Sequence, residues 1–234
     1  MTPAWVFRFA EPIPYARAWA WQQAVHERRR AERIPDTALL LQHPPTVTLG
    51  RRGRDHHLLA SRAELAARGI ELHTADRGGD VTYHAPGQWV LYPILRLGAG
   101  GADAHGHLWS LEETALRAAA EFGVRGFRRA GMSGAWAEGG KFAAIGFFVK
   151  RWITLHGMSF NVAPDLDGFR LIVPCGLVGQ PVASLQTLRG PAAPDMETAG
   201  DALLRHFEQV HGRALIRQDP AAPPPELAGV FDRN

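Results

Sequence analysis

The sequence predicts an α+β fold, a mixed but largely antiparallel sheet with flanking helices. Strand-like runs alternate with helical ones, and several strands are separated only by short turns, such as Gly139-Gly140 and Lys150-Arg151. With 46% apolar against 21% charged residues in 234 positions, the chain also has the composition of a packed core. Residues 1–219 are expected to form one domain, burying about 70–75% of the unfolded surface, and residues 220–234 a Pro-rich tail.

In chain order, Pro14 to Arg33 predicts a first helix. Pro sits at its start, Trp19 and Val25 share a side, and Arg28-Arg29-Arg30 suit the negative end of the helix dipole. Leu39 to Gln42 is strand-like, His43-Pro44-Pro45 interrupts it, and Thr46 to Leu49 resumes it. Gly50 to His57 is a basic loop, after which Ser61-Arg62-Ala63-Glu64 reads as a capping box opening a short helix that stops at Gly69. Ile70 to Ala75 is a strand. Val81 to His84 and Trp89 to Tyr92 are two more, joined through Ala85-Pro86-Gly87-Gln88. Gly98 to Gly106 is a loop, and Leu108 to Phe122 a helix ending at Gly123. Three strands follow: Ala135 to Ala137, Lys141 to Val149 and Trp152 to Val162. A last helix, Asp195 to His211, is capped by Asp195 and stopped by Gly212.

Of 26 basic residues only Lys141 and Lys150 are lysines, and Cys175 is the sole cysteine, in the turn Pro174-Cys175-Gly176. Arginine cannot surrender its proton in a protein, whereas a desolvated lysine can. One thiol and one such lysine would make a nucleophile with its activator. A single thiol permits no intrachain disulfide and suits a reducing interior. The run Met1 to Arg8 has no apolar export core, and the longest apolar stretch, near Phe147, falls far short of the ~20 residues needed to span a bilayer. A soluble, cytoplasmic protein is expected, with no membrane partner. The net charge of +3 suits an acidic partner, and no nucleic-acid-binding signature is present.

Three glycine-punctuated segments carry chemistry. In Arg77-Gly78-Gly79-Asp80-Val81-Thr82-Tyr83-His84 the paired glycines allow a ligand close to the backbone, and Arg77 can hold an anion. A hairpin turn with a surface arginine is the plain alternative. In Gly140-Lys141-Phe142-Ala143-Ala144-Ile145-Gly146 a lysine opens a strand whose small residues leave room along it, whereas Lys150 reads as a hairpin-edge charge. In Pro174-Cys175-Gly176 a buried, inert thiol is the plain alternative to a nucleophile. Neither His56-His57 nor His105 with His107 offers a third metal ligand, so no metal site is expected.

The runs RGGDVTYHAPGQ, GKFAAIG, HGMSFNV (His156 to Val162) and IVPCGLVG (Ile172 to Gly179) resemble, in order and spacing, the lipoyl(octanoyl) transferase family, from about His43 to about Leu185. The resemblance implies a fold like the catalytic domain of biotin and lipoate ligases. It implies transfer of an octanoyl group from octanoyl-acyl carrier protein to a lysine of lipoyl domains in 2-oxoacid dehydrogenase complexes and of the glycine-cleavage H protein. Carried over, Cys175 matches the acyl-thioester nucleophile and Lys141 its activator, which could also accept the proton of the incoming amine. The whole run from Arg77 to His84, together with Ala144, Ile145, Gly146, Gly157, Met158 and Ser159, matches segments lining the acyl substrate. Ala85 and Ala183 stand where Gly and Thr are common in the family, and neither is a reacting group. A nearby cation lowers a cysteine pKa from ~8.5 into or below the physiological range, and a thioester is already activated, so no cofactor or nucleotide is implied. The alternatives are an ATP-dependent lipoate-protein ligase and a non-catalytic acyl- or carrier-binding module. A Cys–His hydrolase using His84 or His156 does not fit the surrounding motifs. The loop Arg51-Arg52-Gly53-Arg54, flanked by His56-His57, reads equally as a solvated loop or as a docking point for an acidic carrier, and the resemblance favours docking.

Overall fold

The computed structural model describes residues 1–98, 104–176 and 179–232. In chain order its elements are β1 (Thr2–Arg8), α1 (Tyr15–Arg30), β2 (Asp36–Leu41), β3 (Thr46–Leu49), α2 (Arg62–Ala67), β4 (Glu71–Thr74), β5 (Val81–His84), β6 (Gln88–Ile94), α3 (Ala104–Glu121), β7 (Phe127–Arg129), β8 (Met132–Ala137), β9 (Gly140–Lys150), β10 (Ile153–Asn161), α4 (Leu185–Arg189), α5 (Met196–His211) and β11 (Arg213–Gln218). An eight-stranded sheet runs β11-β1-β2-β6-β10-β9-β8-β7, and a three-stranded sheet runs β4-β3-β5. In the large sheet β1 pairs in parallel with β2 and β11, and every other pairing is antiparallel. This is the mixed, largely antiparallel α+β arrangement the sequence predicts.

Alternation along the central strands sorts side chains to two cores. Val6, Leu40, Leu91 and Phe160 face α3 and α5, packing with Leu111, Leu203 and Phe207. Phe7, Leu39, Leu41 and Val90 face α1, packing with Trp21 and Val25. Burial on both faces explains why Leu39-Leu40-Leu41 is apolar without interruption. Leu227, Val230 and Phe231, from the segment expected as a tail, fill the α1 side of this second core. A third core, Val47, Leu65, Val81, Tyr83, Phe169 and Ile172, lies under the small sheet.

Several local expectations hold. Ser61 and Glu64 form a reciprocal capping box. Asp195 accepts a hydrogen bond from the Thr198 amide, and Gly212 closes α5 in the left-handed conformation. The fold adds what local pattern leaves open. The strands joined through Ala85-Pro86-Gly87-Gln88 both form, but in different sheets: β5 joins β3 in the small one, while β6 joins β2 and β10 in the large one. The antiparallel pairing of Leu41 with Val90 continues as Thr46 with His84, so one long ladder splits between two sheets at His43-Pro44-Pro45 and Ala85-Pro86-Gly87. Prolines on both sides of the split withhold the donors a continuous ladder would need. The loop expected over Gly98 to Gly106 is shorter, since α3 already starts at Ala104 and takes in His105 and His107; residues 99–103 lie outside the described residues. Strands β1, β7 and β11 add to the expected ones. Among the described residues no helix is long and apolar enough to cross a membrane.

Candidate active site

Where the two sheets part, they enclose a cavity of about 370 Å³. Its walls come from β5, β6, β9 and β10, from the loops that carry Arg54 and Arg77, and from the turn that carries Cys175. Lys141 lies near the start of β9, buried to 6% exposure. Its amide donates to Pro181 O and its carbonyl accepts from Ala183 N, both at 2.9 Å, so its backbone is held along one edge by the segment around Val182. Its Nζ lies 5.1 Å from the Trp136 ring centroid and donates to Cys175 Sγ at 3.3 Å. Gly134 on β8 makes the space for this side chain, because a methyl there would come within 2.7 Å of Lys141 Cε.

Cys175 reaches the lysine from an irregular turn. Its φ of 57° places it in the left-handed region, uncommon for any residue but Gly, at a cost of roughly 1–3 kcal/mol. The turn is tied to the basic loop, since Val173 N donates to His57 O at 2.7 Å and Leu58 bridges Ile172. Local sequence signalled both partners; only the fold brings them together across 34 positions.

Most of the other expected residues face the cavity, and on β5 alternation turns two away. Arg77, Gly79, Asp80, Thr82, His84, Ala144, Ile145, Gly146, Gly157, Met158 and Ser159 line the cavity. Val81 and Tyr83 point to the opposite side of β5, into the third core, and Gly78 donates its amide to Phe147 O at 2.9 Å. Arg77 is buried, and its guanidinium donates to Thr48 O, Thr48 Oγ1 and Gly78 O at 2.7–3.2 Å. Burial pulls its pKa below the usual arginine value. No carboxylate accepts a hydrogen bond from it among the described residues, so its charge remains to attract an anion in the cavity.

Three groups on the inner wall stay neutral. Gln88 donates through Nε2 to Tyr83 O and Asn161 Oδ1, so its Oε1 accepts from His84 Nδ1 at 2.7 Å and leaves His84 Nε2 without a proton. Burial pushes the His84 pKa well below the ordinary histidine value, and the neighbouring His43 adds to the effect. Burial likewise lowers the pKa of His156, whose Nε2 donates to Asp76 Oδ1 at 2.6 Å while its ring stacks on Trp19. Tyr15 is a phenol pushed up to about 12 by burial.

Sequence motifs did not signal Tyr15, Val90, Tyr92, Met132 or Ser133 as cavity walls, because each arrives from an element whose local pattern speaks only of packing. His57 is also there, with Arg52 and Arg54 exposed beside it. Arg51, grouped with them in sequence, instead lays its guanidinium over the Phe148 ring, 4.8 Å from its centroid.

A family model described as lipoyl protein ligase A/B catalytic domain matches residues 14–208. An octanoyltransferase of Chloroflexus aggregans is 47% identical over 190 residues, covering 80% of this chain and 86% of the relative. One from Gloeobacter violaceus is 49% identical over 177 residues, covering 75% and 77%. Among solved structures, a bipartite lipoate protein ligase from Thermoplasma acidophilum superposes with a TM-score of 0.77 at 12% identity, over 99% of this chain and 91% of that one. A lipoate-protein ligase A bound with ATP gives 0.77 at 13% identity, over 99% and 93%. At such identities these two structures speak to fold alone. The match along most of the chain, with relatives above two-fifths identity, shows that the chain belongs to the lipoyl protein ligase A/B catalytic-domain family.

Proposed function

We propose that this enzyme is an octanoyltransferase of protein lipoylation, working through an octanoyl thioester on Cys175. The contact of Lys141 Nζ with Cys175 Sγ at 3.3 Å carries the reading. An ammonium at that distance is placed to stabilise negative charge on sulfur, and a thiolate is the nucleophile in thioester exchange. Sulfur attacks the carbonyl carbon of octanoyl-acyl carrier protein and the carrier's thiolate leaves. The enzyme's thioester then meets a lysine amine of a lipoyl domain, in a 2-oxoacid dehydrogenase complex or the glycine-cleavage H protein.

The cavity suits an acyl chain. From Lys141 to Gly146 the β9 wall extends ~16 Å at ~3.3 Å per residue, past Ala144 and Ile145. Burying the six methylenes of an octanoyl group would contribute ~5 kcal/mol at ~0.8 kcal/mol each. Arg52 and Arg54, exposed at the cavity's edge, suit an acidic carrier.

Incubated with octanoyl-acyl carrier protein and no acceptor, the protein should gain one octanoyl mass that hydroxylamine removes. Cys175→Ala should gain none and transfer none. Transfer should proceed without ATP or Mg²⁺. A wild-type protein that transfers octanoate while never carrying the mass would overturn the covalent route, and strict ATP dependence with free octanoate as the better donor would turn the reading to a ligase.

A further inference from the structure

We propose that Tyr15, His84 and His156 make the inner end of the cavity a polar subsite, which holds water or an alcohol group and so limits how far an alkyl chain can run. The proposal deepens the acyl-enzyme reading above and rests on it.

Strand register gives the cavity two ends. Lys141, in contact with Cys175, stands near the start of β9. His156 on β10 pairs with Phe147, six residues further along β9 and ~20 Å away at ~3.3 Å per residue. Rings close that second end. Between centroids, Tyr15, His84 and Tyr92 lie 5.5, 5.4 and 5.8 Å from His43, and His156 lies 6.3 Å from Tyr92. All of these but His43 line the cavity.

This floor has hydrogen-bonding capacity that the protein does not use. His43 is fully engaged, its Nδ1 donating to Ile13 O at 2.6 Å and its Nε2 accepting from the Tyr92 hydroxyl at 2.7 Å. The Tyr15 hydroxyl has no partner among the described residues. Neither has His156 Nδ1, since that ring donates through Nε2 to Asp76. His84 Nε2 keeps its lone pair because Nδ1 donates to Gln88. Burial, the largest influence on both imidazoles, keeps them neutral. The floor therefore presents one phenol and two nitrogen lone pairs. A group that both donates and accepts meets that set, as water and alcohols do, whereas a carboxylate could only accept.

His156 is held in place against its backbone preference. Its φ of 58° is left-handed within a strand, its amide donates to Gln22 Oε1 at 2.8 Å, and its ring stacks on Trp19. Strained residues fixed in this way by their surroundings cluster at ligand sites. Magnitudes then oppose a longer chain. One more buried methylene improves binding only about fourfold. Stripping water from an unpaired buried donor or acceptor costs roughly five- to a hundredfold. An alkyl chain gains along Ala144, Ile145 and Met158 and loses at the rings.

The test follows gain of acyl mass on the full-length protein from S-acyl-N-acetylcysteamine donors. Decanoyl is set against ω-hydroxynonanoyl, which matches it in length and differs only in the last group. An apolar end would favour decanoyl by ~10²-fold. The wild type should instead favour the hydroxyl by ~10-fold. Tyr15→Phe removes a hydroxyl that no residue holds, so its Tm should stay near that of the wild type while the ratio moves toward decanoyl by about fivefold or more. His156→Phe, which keeps a ring against Trp19, should move the ratio the same way. A wild type that favours decanoyl would overturn the proposal. So would variants that slow both donors equally, which would make these rings structural. If an octanoyl donor leaves no mass on the wild type, the acyl-enzyme reading fails first and the subsite falls with it; octanoyl mass without the end-group preference sinks the subsite alone.

Discussion

Lys141 and Cys175 touch, yet they are held by opposite means. The lysine stands on β9, in extended backbone, held along one edge by Pro181 and Ala183, with its ammonium against the Trp136 ring. The cysteine stands on a short irregular turn with φ of 57°, tethered to the Arg54–His57 loop rather than to a sheet. The difference suits their tasks. In the proposed mechanism a cation that tunes sulfur must keep its distance fixed, while a sulfur that takes up and releases an acyl group must meet two large partners in turn. The lysine's place is therefore set by a strand within the sheet, and the cysteine's by a turn that leans on a neighbouring loop.

Removing the strand-borne group should have the largest effect. Lys141→Ala and Lys141→Arg are both expected to lower turnover ~10²–10⁴-fold, the arginine variant retaining charge but not the reach and shape of the ammonium. Lys150→Ala, on the exposed end of the same strand, should leave turnover unchanged. Steady-state assay of the three proteins checks this, and near-normal turnover in both Lys141 variants would make the contact with Cys175 incidental.

A pair of glycine substitutions sharpens the contrast. At Gly134 an added methyl meets Ala143 O at 2.4 Å and Lys141 Cε at 2.7 Å, inside the sheet. Gly134→Ala should cost about 2 kcal/mol, read as a Tm lower by about 4–8 °C, with loss of activity. At Gly176 the methyl meets Asp80 Oδ2 at 2.6 Å on a φ of 68°. The turn around Gly176 lies outside the large sheet, so Gly176→Ala should lose activity with a Tm near that of the wild type. Melting curves beside rate assays decide it; equal Tm losses would mean that the cysteine's turn is as rigid as the strand.

The smallest effect concerns the loop beside that turn. Reversing Arg52 and Arg54 to Glu should raise the KM for the carrier-bound donor several-fold and flatten its salt dependence, because exposed charges steer encounter and are screened over ~8 Å at physiological ionic strength. Acylation by a small octanoyl thioester should hardly change. If the small donor suffers equally, these arginines shape the cavity instead of docking a partner.

Sequence alone determined the features that are local. The strands β8, β9 and β10 follow from their turns, α5 from Asp195 and Gly212, and the candidate pair of Lys141 and Cys175 from the scarcity of lysine and the single thiol. These are legible because a cap, a turn or a strand period is written within a few residues. Only the tertiary structure decided the rest. It sent β3 and β5 to a second sheet, opened the cavity at that split, turned Val81 and Tyr83 away from it, and brought Tyr15, Tyr92 and His57 to its walls. The parallel strands β1 and β11 meet across almost the whole chain. Such pairings are set by which faces can be buried together, a property of distant segments in contact that no single window of sequence contains.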